Sequence, residues 1–188
     1  MVLLDAFLGQ MAEPIVLRRR TTDDGRLTTK RWALTGAKGR KPNLVRSFFL
    51  RDPGLEEHNI ELQKVYRAIE KKEQRYATLW TDKADILFVA YGIASRVARG
   101  AAEKLRQKGI HAGLFRPISL WPYPYKALEK AAKSKKAVFV VELSYGQMVE
   151  DVQLALGKEI PIYFYGRGGG WVPSEEDIAA FVTARLRR

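Results

Sequence analysis

Three apolar runs, each separated from the next by a stretch with helical spacing, constrain what this chain can fold into. They are ILFVAYG (Ile86 to Gly92), GLFRPISLWP (Gly113 to Pro122) and VFVVELSYGQM (Val138 to Met148). None alternates apolar with polar, as a strand facing water on one side does. Continuous runs belong to strands covered on both faces, as in a parallel sheet flanked by helices. From Asp85 to Asp151 the order is strand, helix, strand, helix, strand, helix. The predicted fold is therefore α/β, a three-layer open, mostly parallel sheet with helices on both faces.

The intervening segments carry their own signals. After Gly92, Ser95 is a predicted N-cap for a helix whose apolar face is Val97, Ala98, Ala101, Ala102 and Leu105, and Gly109 is its left-handed C-terminal cap. A helix near Lys126 to Ser134 turns Leu128, Ala131 and Ala132 inward. Gly146 opens another, with Met148, Val149, Val152, Ala155 and Leu156 on its buried side. A last strand, Pro161 to Tyr165, leads through GRGGGWVP to a final helix from Ser174.

The first third reads differently. Val2 to Gln10 is an apolar segment resembling the tail of an element, ended by Glu13-Pro14. Ile15 to Arg20 can form a short strand, and Thr21 to Thr29 is a turn-rich connector centred on Asp24-Gly25. Gly36, Gly39 and Pro42 mark residues 31–51 as a linker. Glu56 to about Tyr76 is the longest helical pattern, with Ile60, Val65 and Ile69 near one face and Leu62 and Tyr66 beside it. Asp52-Pro53 fixes its start, and Glu56 and Glu57 suit the positive end of the helix dipole. It is expected to be an amphipathic arm packed on the next domain.

Charge is concentrated in one segment. The chain carries a formal +12, and residues 18–51 hold eleven Lys and Arg against only Asp23 and Asp24. Such a patch can capture a phosphate-bearing ligand, nucleic acid or an acidic partner. Only Trp32, Phe48 and Phe49 are aromatic there, with no interleaved stacking pattern and no groove-reading helix, so a solvated or subunit-facing ribbon is favoured over nucleic acid.

Composition excludes several chemistries. Without a Cys there is no disulfide, thiolate nucleophile or cluster ligand set, and His58 and His111 alone are a poor basis for a metal site. No run approaches the ~18 apolar residues of a membrane span, and no signal peptide is recognisable, so a soluble cytoplasmic chain with no membrane partner is expected.

Two features invite a site reading. Gly166 to Gly170 precede a helix, yet the spacing matches neither common phosphate loop. The helix also begins Ser174-Glu175-Glu176-Asp177, a capping-box pattern whose carboxylates would repel an anion. Glu142 ends a strand, where open α/β sheets place ligand groups, and can act as an acid or base. No His or second carboxylate is placed to cooperate with it, so a carboxylate bonded to a helix N-terminus or to a partner chain is favoured. Arg116 has the same ambiguity. The interface-facing or ligand-facing candidates are Gly92, Ser95, Arg116, Pro117, Glu142, Ser144, Gly146 and Gln147. No catalytic or metal-ligating residue is assigned, and no cofactor-binding residue is identified.

The strings DAFLGQMAEP, EEHNIELQKVYRAIEKKEQRY, VAYGIASRVARGAAEKLRQKGIHAGLFRPISLWPYPYKAL, VVELSYGQMVEDVQLA and PIYFYGRGGGWVPSEEDI follow one another through nearly the whole chain. Together they resemble the C-terminal half of the α subunit of 2-oxoacid:ferredoxin oxidoreductases, in particular the 3-methyl-2-oxobutanoate (2-ketoisovalerate) branch. The resemblance implies a transketolase-C-terminal-like fold. It divides the chain into 1–17, the end of a thiamin-pyrimidine-binding domain; 18–55, a basic linker or ribbon; 56–80, a connecting helix; and 81–188, the α/β domain.

By the same resemblance the complex oxidatively decarboxylates a 2-oxoacid with coenzyme A to an acyl-CoA and passes electrons to ferredoxin. Thiamin diphosphate and Mg²⁺ are implied on a β subunit, and iron–sulfur clusters on γ and δ ferredoxin-like subunits or other domains. None of these cofactors is expected on this chain alone, which is expected to be inactive in isolation and to serve assembly, with the 18–51 segment as a contact. The competing readings are a free-standing flavodoxin-like ligand-binding domain and a basic nucleic-acid-binding protein.

Overall fold

The computed structural model describes residues 6–12, 32–34, 36–44, 49 and 53–187. Two units divide the chain, one of Met1–Met11 with Ala68–Arg188 and one of Ala12–Arg67. The elements are α1 (Ala6–Gln10), α2 (Gly54–Lys72), β1 (Tyr76–Leu79), β2 (Ile86–Ala90), α3 (Gly92–Gln107), β3 (Ala112–Pro117), α4 (Tyr125–Ala132), β4 (Ala137–Glu142), α5 (Met148–Leu156), β5 (Ile162–Gly166) and α6 (Glu175–Leu186). The strand predicted over 15–20 and the turn over 21–29 lie outside the described residues, as do most of the basic side chains of 18–51.

The larger unit is a five-stranded sheet in the order β1-β3-β2-β4-β5, with β1 antiparallel to β3 and the other pairs parallel. Every residue of β2 and β4 is buried, which is why their sequences show no alternation. Alternation is still present in what they touch. Ile86, Phe88, Phe139 and Val141 pack with Ala98, Ala101 and Leu105 of α3 and with Ile178 and Val182 of α6. Leu87, Val89, Val138 and Val140 pack on the opposite face with Leu128 of α4 and Val152 of α5. Each such Val, Leu, Ile or Phe side chain contributes about 1.5–3 kcal/mol on full burial. Three layers with helices on both faces are the architecture predicted from the apolar runs.

The C-terminus of α3 matches its predicted cap. Gly109 has φ 80°, its N–H bonds the Arg106 carbonyl, and the Ile110 N–H bonds the Leu105 carbonyl at 3.0 Å. This double bond closes the helix, and Ile110 packs against the same core as Leu105.

Three expectations change. Ser95 is not the N-cap of α3. Gly92, with φ 58°, turns the chain out of β2 directly, so the helix starts four residues earlier with Tyr91 at the cap position. Ser95 then sits in the first turn, buried, its hydroxyl donating to the Gly92 carbonyl at 2.7 Å. The long helix ends at Lys72 rather than near Tyr76, and Tyr76–Leu79 is an edge strand held against β3 in the register Ala77 to Arg116. The apolar run after Gly113 is strand only to Pro117; Ile118 and Ser119 leave the ladder and donate their N–H groups to the Arg75 carbonyl.

No residue of α2 is buried, so its stripe of Ile60, Val65 and Tyr66 is not the packed face that its spacing predicts. Among the described residues, no helix is long and apolar enough to cross a membrane.

Candidate functional site

The chain leaves β2 for β3 on one side and returns through β4 on the other, so the connections diverge at the carboxyl ends of β2 and β4. Open α/β sheets hold ligands outside such a switch point. A cleft of about 1080 Å³ lies there, lined by the ends of β2, β3 and β4, the first turn of α3, the loop 118–121, Arg75 and Leu8.

Sequence reasoning placed eight residues at this edge, and the structure sorts them into two groups. Gly92, Arg116, Pro117 and Glu142 line the cleft. Ser144, Gly146 and Gln147 gather instead around the Glu142 carboxylate, and Ser95 is turned into the first turn of α3. Tyr91, Arg96 and Trp121 also line the cleft and were not singled out. Their signal was their place one to six residues beyond a strand end, which a reading centred on glycine and proline passes over.

Glu142 shows what a lone carboxylate at a strand end does here. It is only 1% exposed. One oxygen accepts the Val149 N–H at 2.9 Å; the other accepts the N–H groups of Met148 at 3.1 Å and Gln147 at 3.2 Å and the Ser144 hydroxyl at 2.9 Å. These amides are among those that α5 leaves without intrahelical partners, so the side chain closes the helix and meets the positive end of its dipole. Gly146, with φ 108°, makes the turn that brings α5 back over the carboxylate. The N-terminus-bonded reading is the one the structure contains.

The neighbouring phenols share this environment. Burial, followed by the Glu142 charge, raises the pKa of Tyr91 above its ordinary value. Tyr123 is raised further, by burial first, and its hydroxyl has no hydrogen-bond partner among the described residues. Tyr125 is pushed up to about 12 by its 2.5 Å hydrogen bond to Asp151. All three are neutral donors near pH 7.

The glycine-rich connector is closed to anions by the chain's own acids. The Asp177 N–H bonds the Ser174 hydroxyl at 3.1 Å and the Asp177 carboxylate accepts the Ser174 N–H at 3.0 Å. Glu175 and Glu176 follow in the first turn and pair with Lys104. Among the described residues, no three His, Cys, Asp or Glu side chains gather as a metal site, and the sequence offers no Cys for an iron–sulfur cluster. The donor set therefore does not fit the Mg²⁺, cluster or diphosphate roles that the resemblance assigns to the complex, and no chemical step is routed through them.

Comparison with known proteins places this geometry. The chain is 43% identical over 156 residues to the ketoisovalerate oxidoreductase subunit VorB of Methanothermobacter marburgensis, a match covering 83% of this chain and 44% of that protein. It thus spans less than half the length of that curated relative. Among solved structures, a 2-oxoglutarate:ferredoxin oxidoreductase from Magnetococcus marinus, with 2-oxoglutarate, coenzyme A and succinyl-CoA bound, aligns with a TM-score of 0.62 at 21% identity, over 91% of this chain and 33% of that one. An inactive β4 tetramer of a split-gene transketolase aligns with a TM-score of 0.51 at 25% identity, over 60% of this chain and 41% of that one. These two likenesses agree with the sheet order in giving a transketolase-C-terminal-like α/β fold. Residues 84–178, from the approach to β2 to the first turns of α6, match the family described as pyruvate:ferredoxin oxidoreductase core domain II. The chain belongs to the pyruvate:ferredoxin oxidoreductase core domain II family.

Proposed function

We propose that this chain is part of the α subunit of a 2-oxoacid:ferredoxin oxidoreductase, and that it serves subunit assembly and the walling of the site rather than the chemistry. The complex would convert a 2-oxoacid and coenzyme A to an acyl-CoA, with ferredoxin as acceptor. A branched-chain 2-oxoacid is favoured by the likeness to a ketoisovalerate oxidoreductase subunit. The observation that carries the assembly role is Glu142. The acid best placed at the sheet's carboxyl edge is buried and spends both oxygens on α5 and Ser144, so it is not available to move protons for a substrate.

Within this reading, 1–17 would be the end of a thiamin-pyrimidine-binding domain, 18–55 a basic linker or ribbon contacting a partner, and the α/β domain would present its carboxyl edge as a docking surface. Gly92, Arg116 and Pro117 lie on that edge. The exposed Ile118, Trp121 and Tyr145 are the kind of apolar and aromatic side chains that a subunit covers. Partners would be a β subunit that holds thiamin diphosphate, whose ring supplies the carbanion chemistry, and ferredoxin-like subunits that hold the clusters.

The test is co-expression of this chain with a β subunit of the same complex, followed by gel filtration. Co-elution, lost or weakened in a Trp121→Ala, Tyr145→Ala double variant, is the expected result. A chain that elutes alone at micromolar concentration overturns the assembly role.

A further inference from the structure

The loop that leaves β3 is fastened to the residue that precedes β1. Tyr76 and Pro117 are the last pair of the β1–β3 ladder. One step further, the Arg75 carbonyl accepts two N–H groups, from Ile118 at 2.9 Å and from Ser119 at 3.0 Å. A regular antiparallel pair would return the Arg75 N–H to a backbone carbonyl of the facing strand. Here it goes to the Ser119 hydroxyl at 2.9 Å, and that hydroxyl donates in turn to the Pro122 carbonyl at 2.8 Å. One side chain thus replaces a ladder acceptor and closes the loop on itself.

The anchor is fixed as well. The Glu73 N–H bonds the Ile69 carbonyl at 2.8 Å and the Gln74 side-chain amide bonds the Glu70 carbonyl at 2.9 Å, so the three residues between α2 and β1 are tied to the last turn of the helix. Beyond the loop, Tyr123 is buried in the core under α4 and α5. Residues 118–122 are therefore held at both ends, yet Ile118 is 53% and Trp121 57% exposed. Fixing exposed apolar side chains in one place contributes little to the core of this chain. It does lower the ordering cost that a partner meets on covering them.

We propose that Ser119 is a positioning residue for the partner-facing edge: its hydroxyl latches loop 118–122 to Arg75 and presents Ile118 and Trp121 to the β subunit already in their docked arrangement. This rests on the assembly role proposed above and adds the residue that shapes the surface. A hydroxyl is needed because the group must accept from Arg75 and donate to Pro122 at once; Thr can do both and Ala neither.

Amide hydrogen exchange of the full chain reads the latch itself. The Arg75 N–H should exchange slowly in the wild-type chain, at least about tenfold faster in Ser119→Ala, and slowly again in Ser119→Thr. Calorimetric titration with a β subunit of the same complex reads the presentation. Ser119→Ala should weaken docking about tenfold, or roughly 1.4 kcal/mol, and Ser119→Thr should restore it. The thermal midpoint of Ser119→Ala should fall by no more than about 4 °C; a larger fall with normal affinity in the folded fraction would make Ser119 structural only and overturn the proposal. An Arg75 N–H that exchanges equally fast in wild type and Ser119→Ala overturns the latch. Docking unchanged in Ser119→Ala but lost in the Trp121→Ala, Tyr145→Ala double variant overturns the positioning role and leaves the assembly role standing, whereas a wild-type chain that does not dock overturns both.

Discussion

The Glu142 carboxylate accepts the Val149 N–H at 2.9 Å, tying the end of β4 to the first turn of α5. With Met148, Gln147 and Ser144 on the other oxygen, four donors meet one buried anion. A residue placed where ligands bind is thereby committed to structure, and the edge around it is left as a surface.

Replacing Glu142 with Gln keeps the shape but removes the charge and points an NH₂ at amide donors. Hydrogen bonds to charged groups contribute about 1.5–3 kcal/mol each and buried donors are costly to leave unmet, so a loss of about 2–4 kcal/mol is expected. Urea unfolding of the two proteins measures it. A loss below about 0.5 kcal/mol, the range of an ordinary surface change, would mean that the carboxylate does not hold α5.

At α6, Ser174→Ala removes the hydroxyl that the Asp177 N–H bonds, with an expected cost of about 1 kcal/mol. Asp177 is held below its ordinary 3.8, first by the Ser174 backbone N–H. A lowered carboxylate pKa stabilises the fold above the unfolded value and ceases to as pH falls through the folded one. The wild-type chain should therefore lose this contribution only below about pH 4, and Asp177→Asn should flatten stability across that window. Thermal unfolding between pH 2 and pH 6 checks both.

The Tyr125 phenol, pushed up to about 12 by Asp151, should ionise about two pH units later than an exposed tyrosine. For an acid that is neutral when protonated, a raised folded pKa stabilises the fold below about pH 10 and is lost as pH rises through the folded value. Ultraviolet titration of the phenolates should show Tyr125 among several late groups, with Tyr91 and Tyr123 also raised, and Asp151→Asn should move one late group toward 10. A set of late groups unchanged by that substitution would show that Asp151 does not hold the Tyr125 phenol.

Two apolar side chains with similar sequence patterns should behave oppositely. Leu128 is fully buried and Val65 is 53% exposed. Leu128→Ala is expected to cost about 2–5 kcal/mol, whereas Val65→Ala should stay within about 0.5 kcal/mol in the isolated chain. Denaturant midpoints of the two variants make the comparison.

These contrasts show what the sequence can carry. The sheet was legible because β2 and β4 are covered on both faces, and the α3 C-terminus and α6 N-terminus because their caps are local chemistry at fixed spacing. β1 was not: four residues at an exposed edge have no pattern of their own, and their pairing with β3 is a long-range fact. The burial of α2 was misjudged for a related reason, since an apolar stripe announces a buried face but not which surface covers it. Ser95 failed as a cap because a glycine with positive φ can start a helix without one. The cleft itself was half legible. Its glycine, proline and carboxylate were found, while Tyr91, Arg96 and Trp121 become neighbours only when three strands end side by side.

The central claim, that this chain supports the reaction without performing it, is tested most directly by an electron-transfer assay. The purified full chain is supplied with 3-methyl-2-oxobutanoate, coenzyme A, thiamin diphosphate and Mg²⁺, and viologen reduction is followed with and without the remaining subunits of the complex. No reduction by the chain alone and substrate-dependent reduction by the complex containing it are predicted; turnover by the chain alone would contradict the account.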